Sequence, residues 1–393
     1  MAVDVVITSA CRTPIGAFGG ALRTLSAPAL GSVVIAEVLK RSLLKGEDVS
    51  EVIMGQVLTA GAGQAPARQA ALGAGLPNSV PCTTVNKVCG SALKAVMLAT
   101  QAIQTGDAEI VIAGGMESMS NTPYLLDKAR DGYRLGHGQV VDSLIRDGLW
   151  DVYNDFHMGD AAELCARECG VSRQAQDEFA AESYRRAQAA QAQGYYDDEM
   201  VSVTVRHRRG EKLVSMDEGP AAVDFEKMPT LRPVFQKDGT VTAANASTIN
   251  DGAAACVVMS RERADDLGVE PLATIVSQAA AAKAPEWFTT APADVIHRIL
   301  EKSKFGVKDI DLWEINEAFS VVNLAVAQEV GVEMDRVNVH GGAVALGHPI
   351  GASGARILTT LLYAMRRHKK RRGLAAICIG GGEAASVIVE RGQ

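Results

Sequence analysis

The sequence predicts an α/β fold made of two related halves with an inserted segment between them. Strand-like apolar runs alternate with amphipathic helical stretches along most of the chain. A pattern of Gly-rich loop, helix, turn, strand and second Gly-rich loop occurs twice, once near residue 90 and once near residue 350. Between Ser118 and Asn245 the sequence is richer in charge and the alternation breaks.

In chain order, Val5 to Thr8, Val52 to Leu58 and Glu109 to Ala113 read as strands of the first half. Ala255 to Met259, Ala273 to Ser277 and Ala375 to Ile379 read as strands of the second, and Asp177 to Gln193 reads as a helix of the insert. Strands alternating with helices predict a mainly parallel sheet covered by helices. The predicted organisation is a first half over 1–117, an inserted loop domain over 118–249 and a second half over 250–393.

The repeat carries more than any single motif. Cys89-Gly90-Ser91-Ala92 leads into the helical run Leu93 to Gln104, a Gly106-Asp107 turn, the strand Glu109 to Ala113 and Gly114-Gly115-Met116-Glu117. His348-Pro349-Ile350-Gly351-Ala352-Ser353-Gly354 leads into Ala355 to Arg366, a basic turn, the strand Ala375 to Ile379 and Gly380-Gly381-Gly382-Glu383. Two such halves bring equivalent loops face to face. A loop entering a helix N-terminus presents free N–H groups and the positive end of the helix dipole.

Composition bounds the function. With 393 residues the chain exceeds the size of a single hydrophobic core, so two or more packed units are expected. An apolar fraction of 47%, only 5% aromatics and 38 glycines suit close helix-on-sheet packing with tight turns. A net charge of -7 gives no overall field for nucleic acid or anionic membrane, and the basic run Arg366 to Arg372 reads as a solvated connection. Small-molecule partners are therefore predicted, with no nucleic acid and no membrane. No apolar run approaches the ~20 residues of a membrane helix. Seven scattered cysteines without Cys-x-x-Cys predict a reducing, cytoplasmic setting.

Cys89 stands immediately before a helix, where the dipole and a neighbouring base are expected to lower a thiol pKa. Gly90 beside it permits close backbone approach to a ligand. The other reading of Cys89 is a small buried hydrophobe. His348 lies in a loop too rich in Gly and Pro for a regular element, where a histidine serves as general base or as a structural hydrogen-bonding group. Cys378 ends a buried-looking strand beside Gly380-Gly381-Gly382, whose N–H groups suit a developing oxyanion; alone it reads as core. Paired zinc-ligand spacings, a P-loop and a Gly-x-Ser-x-Gly elbow are all missing from the sequence, which disfavours those chemistries.

The motifs Asn86-Lys87-Val88-Cys89-Gly90-Ser91, Asn316-Glu317-Ala318-Phe319, Gly341-Gly342-Ala343-Val344-Ala345-Leu346-Gly347-His348-Pro349 and Cys378-Ile379-Gly380-Gly381-Gly382 together resemble the thiolase family over essentially the whole chain. The resemblance implies a five-layered α-β-α-β-α core with the loop domain covering coenzyme A. It implies that Cys89 attacks the keto carbonyl of acetoacetyl-CoA, releasing acetyl-CoA, and passes its acetyl group to coenzyme A, or the reverse condensation. It implies that His348 takes the Cys89 proton, that Asn316 fixes a water at the thioester oxygen, that Cys378 moves the α-proton, and that the N–H groups of Cys89 and Gly380 form an oxyanion hole.

By the same resemblance, Ser247 contacts the pantetheine or adenylate side, and Ala243, Lys227, Ala318 and Phe319 are further substrate-binding residues. His157 and Met158 wall the acyl pocket, and Phe288 begins a segment that resembles one lining it. No cofactor is implied beyond a potassium site of the branch that Val234 to Ser247 resembles, at Tyr184, Ala243, Ala244, Ala246 and Val344. Relatives are dimers of dimers, which implies a homotetramer. Glu383 departs from the commoner residue after the Gly-rich turn, and Ala221-Ala222 stand where many relatives place an Arg. Neighbouring readings are a longer-chain or branched-chain 3-ketoacyl-CoA thiolase, a ketoacyl synthase with a second histidine in place of Cys378, and a non-catalytic acyl-CoA-binding relative.

Overall fold

The computed structural model describes residues 3–208 and 210–392. On one side the strands Cys82–Val85, Glu51–Gly55, Ile110–Ser118, Asn250–Ser260 and Val5–Arg12 lie in that order. On the other, Leu312–Ile315, Arg372–Ile379, Glu383–Glu390 and Ala273–Ala282 are arranged likewise. A two-pair ladder, Val6 with Thr274 and Ile7 with Ala273, joins the two at their inner edges.

Between the sheets run the helices Ser91–Thr105 and Ser353–Arg367. Leu93, Val96 and Ile103 of the first and Ile357, Leu361 and Met365 of the second share a core with Ile53, Val111, Ile377 and Val387. Every residue from Ser353 to Met365 is buried, as a helix enclosed on all sides requires. Ala27–Ser42 and Pro66–Gly73 cover the outer face of the first sheet, and Ala291–Ser303 and Ser320–Val330 that of the second. These are the five layers, and both central helices start at the loops that carry Cys89 and His348.

The sheet is mixed rather than mainly parallel. Parallel pairing joins Glu51–Gly55 to Cys82–Val85 and to Ile110–Ser118, and Leu312–Ile315 to Arg372–Ile379. The longer ladders are antiparallel. Hydrophobic periodicity reports burial and not direction, whereas the Gly380–Gly382 turn, with φ of +91° at Gly381 and +79° at Gly382, is short enough only for an antiparallel return. A cut at 249/250 also does not separate the sheets, because Asn250–Ser260 pairs with Ile110–Ser118 and the second sheet begins at Ala273.

The insert contains the helices Met158–Glu168 and Arg173–Ala192 and three small hairpins. Ser172 caps the longer helix by accepting the Ala175 N–H at 3.1 Å, so the helix starts four residues before the periodicity predicted. A buried ion cluster ties the insert to the first sheet. Arg12 donates to Glu199 at 2.5 Å and to both oxygens of Asp217 at 2.8 and 3.0 Å, with all three side chains excluded from solvent. Arg12→Met leaves two buried carboxylates unpaired and is expected to cost about 3–5 kcal/mol. Urea unfolding measures this, and a loss under about 1 kcal/mol would place the cluster with weak surface pairs.

Candidate active site

Cys89 sits on an elbow between the strand Cys82–Val85 and the helix Ser91–Thr105. Val88 has φ of +45°, a left-handed conformation that a β-branched residue adopts only under restraint. Asn86 Oδ1 accepts the Val88 N–H at 3.0 Å, and Ser91 Oγ accepts the Lys87 N–H at 2.8 Å while donating to the Val88 carbonyl at 2.6 Å. Gly90 is required here, because a Cβ would lie 2.3 Å from Ile379 Cδ1 of the other half.

The expected lowering of the Cys89 thiol does not occur. Burial pushes it up to about 11, against the opposing pull of the N–H groups of Gly380 and of Cys89 itself. The two amides do not compensate for a mostly apolar enclosure with no counter-cation among the described residues. Cys378, at 0% exposure, is pushed up further by burial and then by the neighbouring Cys89.

His348 follows Gly347, whose φ is +110° and where a Cβ would meet Asn250 at 2.4 Å. The His348 N–H donates to Asn250 Oδ1 at 2.9 Å, and Asn250 Nδ2 donates to the Gly16 carbonyl at 3.0 Å. Nδ1 lies 2.6 Å from Ser353 Oγ, which lies 2.9 Å from the Pro349 carbonyl. That carbonyl only accepts, so the Ser353 hydroxyl donates to it and accepts from Nδ1–H; the assignment follows from the hydrogen-bond network. Nε2 is left with a free lone pair and no partner among the described residues. Burial, then the Arg356 charge, lowers the imidazole to about 3, so it is neutral at physiological pH.

A cavity of about 550 Å³ collects most of the predicted residues. Cys89, His157, Met158, Tyr184, Ala243, Ala246, Ser247, Phe288, Ala318, Phe319, His348 and Gly380 line it. His157 caps the helix Met158–Glu168 by accepting the Gly159 N–H at 3.0 Å, and its ring stacks on Phe235 at 4.8 Å. Phe319 meets both Phe235 and Phe288 edge-on at 6.3 Å. Ser247 donates from its hydroxyl and its N–H to the Ala318 carbonyl at 2.8 and 3.0 Å, fixing one wall to the Asn316–Phe319 turn.

Other predicted residues lie off the wall. Cys378 and Asn316 are buried outside the lining, and both polar atoms of the Asn316 amide are unpaired. Ala244 and Val344 pack with Tyr184 in an adjacent apolar cluster. Lys227 stands outside the cavity, exposed and paired with Asp224 at 2.9 Å. Among the described residues, no group of three or more His, Cys, Asp or Glu is placed to hold a metal ion.

Asn250, Ser353 and Glu117 escaped the sequence reading as site residues. Glu117 is fully buried and accepts the N–H groups of Val57, Leu58 and Gly351 at 3.0, 3.2 and 2.9 Å, so it joins the loops of the two halves behind Cys89. Burial raises its carboxyl to about 7 despite these donors. The available signal was a carboxylate and an amide inside runs otherwise apolar enough to be central strands.

A five-layered core whose two central helices bring a cysteine elbow and a histidine loop into one cavity defines an acyl-transferring condensing fold. The chain belongs to the thiolase family: the thiolase N-terminal domain matches residues 5–262 and the thiolase C-terminal domain residues 269–391. It is similar to an acetyl-CoA acetyltransferase of Cupriavidus necator, 55% identical over 99% of each chain, and to one of Schizosaccharomyces pombe, 51% identical over 99% of each. The crystal structure of the Bacillus anthracis acetyl-CoA acetyltransferase superposes with a TM-score of 0.97 at 42% identity, covering 99% of both chains.

Proposed function

We propose that the protein is an acetyl-CoA C-acetyltransferase that cleaves acetoacetyl-CoA with coenzyme A, or condenses two acetyl-CoA, through an acetyl group on Cys89. The observation that carries this is the convergence of the Cys89 thiol, the His348 imidazole and the Gly380 turn on one cavity with aromatic walls. Relatives named acetyl-CoA acetyltransferase at 50–55% identity support the acyl class.

In this reading Cys89 gives its proton to His348 Nε2 as sulfur attacks the keto carbonyl, and the amides of Cys89 and Gly380 hold the oxyanion. One such donor contributes about 3–4 kcal/mol to the transition state. The C2–C3 bond breaks, and the departing enolate takes a proton from Cys378. Coenzyme A then attacks the acetyl thioester, its thiol proton passing to the Cys378 thiolate, while the Cys89 sulfur leaves the carbonyl and takes back the proton held on His348 Nε2, so that all three groups return to their starting states. Asn316 orients a water for the thioester oxygen, which suits its unpaired amide.

We further propose a homotetramer, supported by the exposed apolar hairpin of Tyr124, Leu126 and Val140 and by fully exposed Leu135. Seven free cysteines support a reducing, cytoplasmic setting; no helix among the described residues is long and apolar enough to cross a membrane. Potassium would be held by Tyr184 and by carbonyls of Ala243, Ala244, Ala246 and Val344. The Ala243 and Ala244 carbonyls accept no hydrogen bond among the described residues, which leaves their lone pairs free for a hard cation. Bound there, the ion would supply a fixed positive charge beside the pocket wall.

Phe288, Phe319 and Met158 line the cavity, and their bulk supports a reading in which short chains are preferred. Intact-mass analysis after mixing with 3-ketoacyl-CoAs of graded length is expected to show one acyl group on Cys89, formed faster from the four-carbon substrate. Faster acylation by the eight-carbon substrate would replace this reading with the longer-chain one.

A further inference from the structure

Two charged side chains outside the cavity connect the halves where the chemistry is proposed to occur. Lys87, two residues before Cys89, makes a close ion pair with Glu383, the first residue after the Gly380–Gly382 turn. Both are half-buried, and neither lines the cavity. They are 296 residues apart in sequence.

The backbone around this pair is strained and tightly packed. Lys87 immediately precedes Val88, the residue at φ +45°. Glu383 is held in register opposite Ile379 and Ala282. Ile379 in turn occupies the space that a side chain at Gly90 would need, and a Cβ on Gly380 would come within 3.6 Å of Val88 Cγ1. The elbow and the turn therefore touch directly, and the ion pair closes the outer side of that contact. Asn86 and Ser91 restrain the elbow from within its own loop, and Asn86 Nδ2 also donates to the Val57 carbonyl at 3.4 Å, on the side of the first half. Among the described residues, the ion pair is the one polar side-chain contact placed to pull the elbow toward the Gly380 turn.

We propose that Lys87 and Glu383 form a positioning clamp that sets the spacing between the Cys89 thiol and the Gly380 amide. The inference rests on the assignment of Cys89 as the acylated residue. Half-exposed ion pairs contribute little to global stability. A nucleophile displaced by a fraction of an ångström loses rate steeply. The clamp therefore acts on acylation and not on folding, and neither residue touches substrate.

The test is rapid-quench intact mass of Cys89 acetylation by acetoacetyl-CoA, together with steady-state kinetics and thermal melts. Glu383→Gln and Lys87→Met are each expected to slow acetylation about tenfold, with KM changed by less than about twofold and the melting temperature nearly unchanged. The charge-exchanged double variant, Lys87→Glu with Glu383→Lys, is expected to recover most of the lost rate, which a merely structural role would not predict. Single variants acetylating at the wild-type rate would overturn the clamp. So would a double variant as slow as the sum of the two singles. Wild-type protein acetylated at a residue other than Cys89 would instead overturn the parent assignment, and the clamp with it.

Discussion

Cys89→Ala is expected to abolish acetyl transfer and to leave the fold intact. The substitution removes one sulfur from a cavity wall, while the strained elbow is held by Asn86, Ser91 and the backbone. Acetyl-enzyme on this variant would sink the assignment. The surrounding electrostatics predict how the wild-type thiol works. With the thiol at about 11 and the imidazole at about 3, the resting pair is neutral and no ion pair is stored. The thiol is therefore overwhelmingly protonated at pH 7, which favours proton transfer to His348 together with attack.

The sign of the pH dependence follows. Acid does not protonate His348 until well below pH 5, and base does not ionise Cys89 until well above pH 9. The single-turnover acetylation rate is therefore expected to stay flat from about pH 5 to 9. A rise centred near pH 7 would indicate a thiol lowered by a counter-charge.

Cys378→Ala is expected to separate acyl transfer from carbon–carbon chemistry. Forming the bond needs an α-proton removed from acetyl-CoA, and the resulting enolate is held only beside fixed donors. Acetylation of Cys89 needs neither. Cys378 is the penultimate residue of its strand, two residues before Gly380, and it lies near enough to Cys89 for that thiol to help raise its own. At the condensation stage Cys89 carries the acetyl group, so the base must be another residue. The variant should still accept acetyl from acetyl-CoA, scored by intact mass, yet lose exchange of the acetyl-CoA methyl protons in heavy water, followed by proton NMR. Exchange at the wild-type rate would show that the base lies elsewhere.

Much of this protein was legible in its sequence because the relevant signals are local. The loop–helix–turn–strand repeat around Cys89 and His348 fixed the two halves and the positions of the central helices, since each depends on periodicity and glycine within about 35 residues. The motif residues that line the cavity were named from the family resemblance that their ordered motifs carry. Strand direction was not legible, because burial periodicity is the same for either direction; the Gly381 and Gly382 conformations set it for one pair, Arg372–Ile379 with Glu383–Glu390, and the packing of the sheet for the others. Nor was the state of the Cys89 thiol: helix entry suggested a lowered pKa, but enclosure by Phe, Met and Ala side chains from distant segments reversed the sign. The tautomer of His348 depends on Ser353 and Pro349, five residues and one residue away, and is fixed only once that loop closes. Glu117 joins Val57 and Leu58 to Gly351, and Lys87 meets Glu383, across separations at which no local rule operates. Local chemistry determined which residues this chain offers; packing of one half on the other decided their protonation, orientation and spacing, because those depend on desolvation and on contacts that exist only in the folded state.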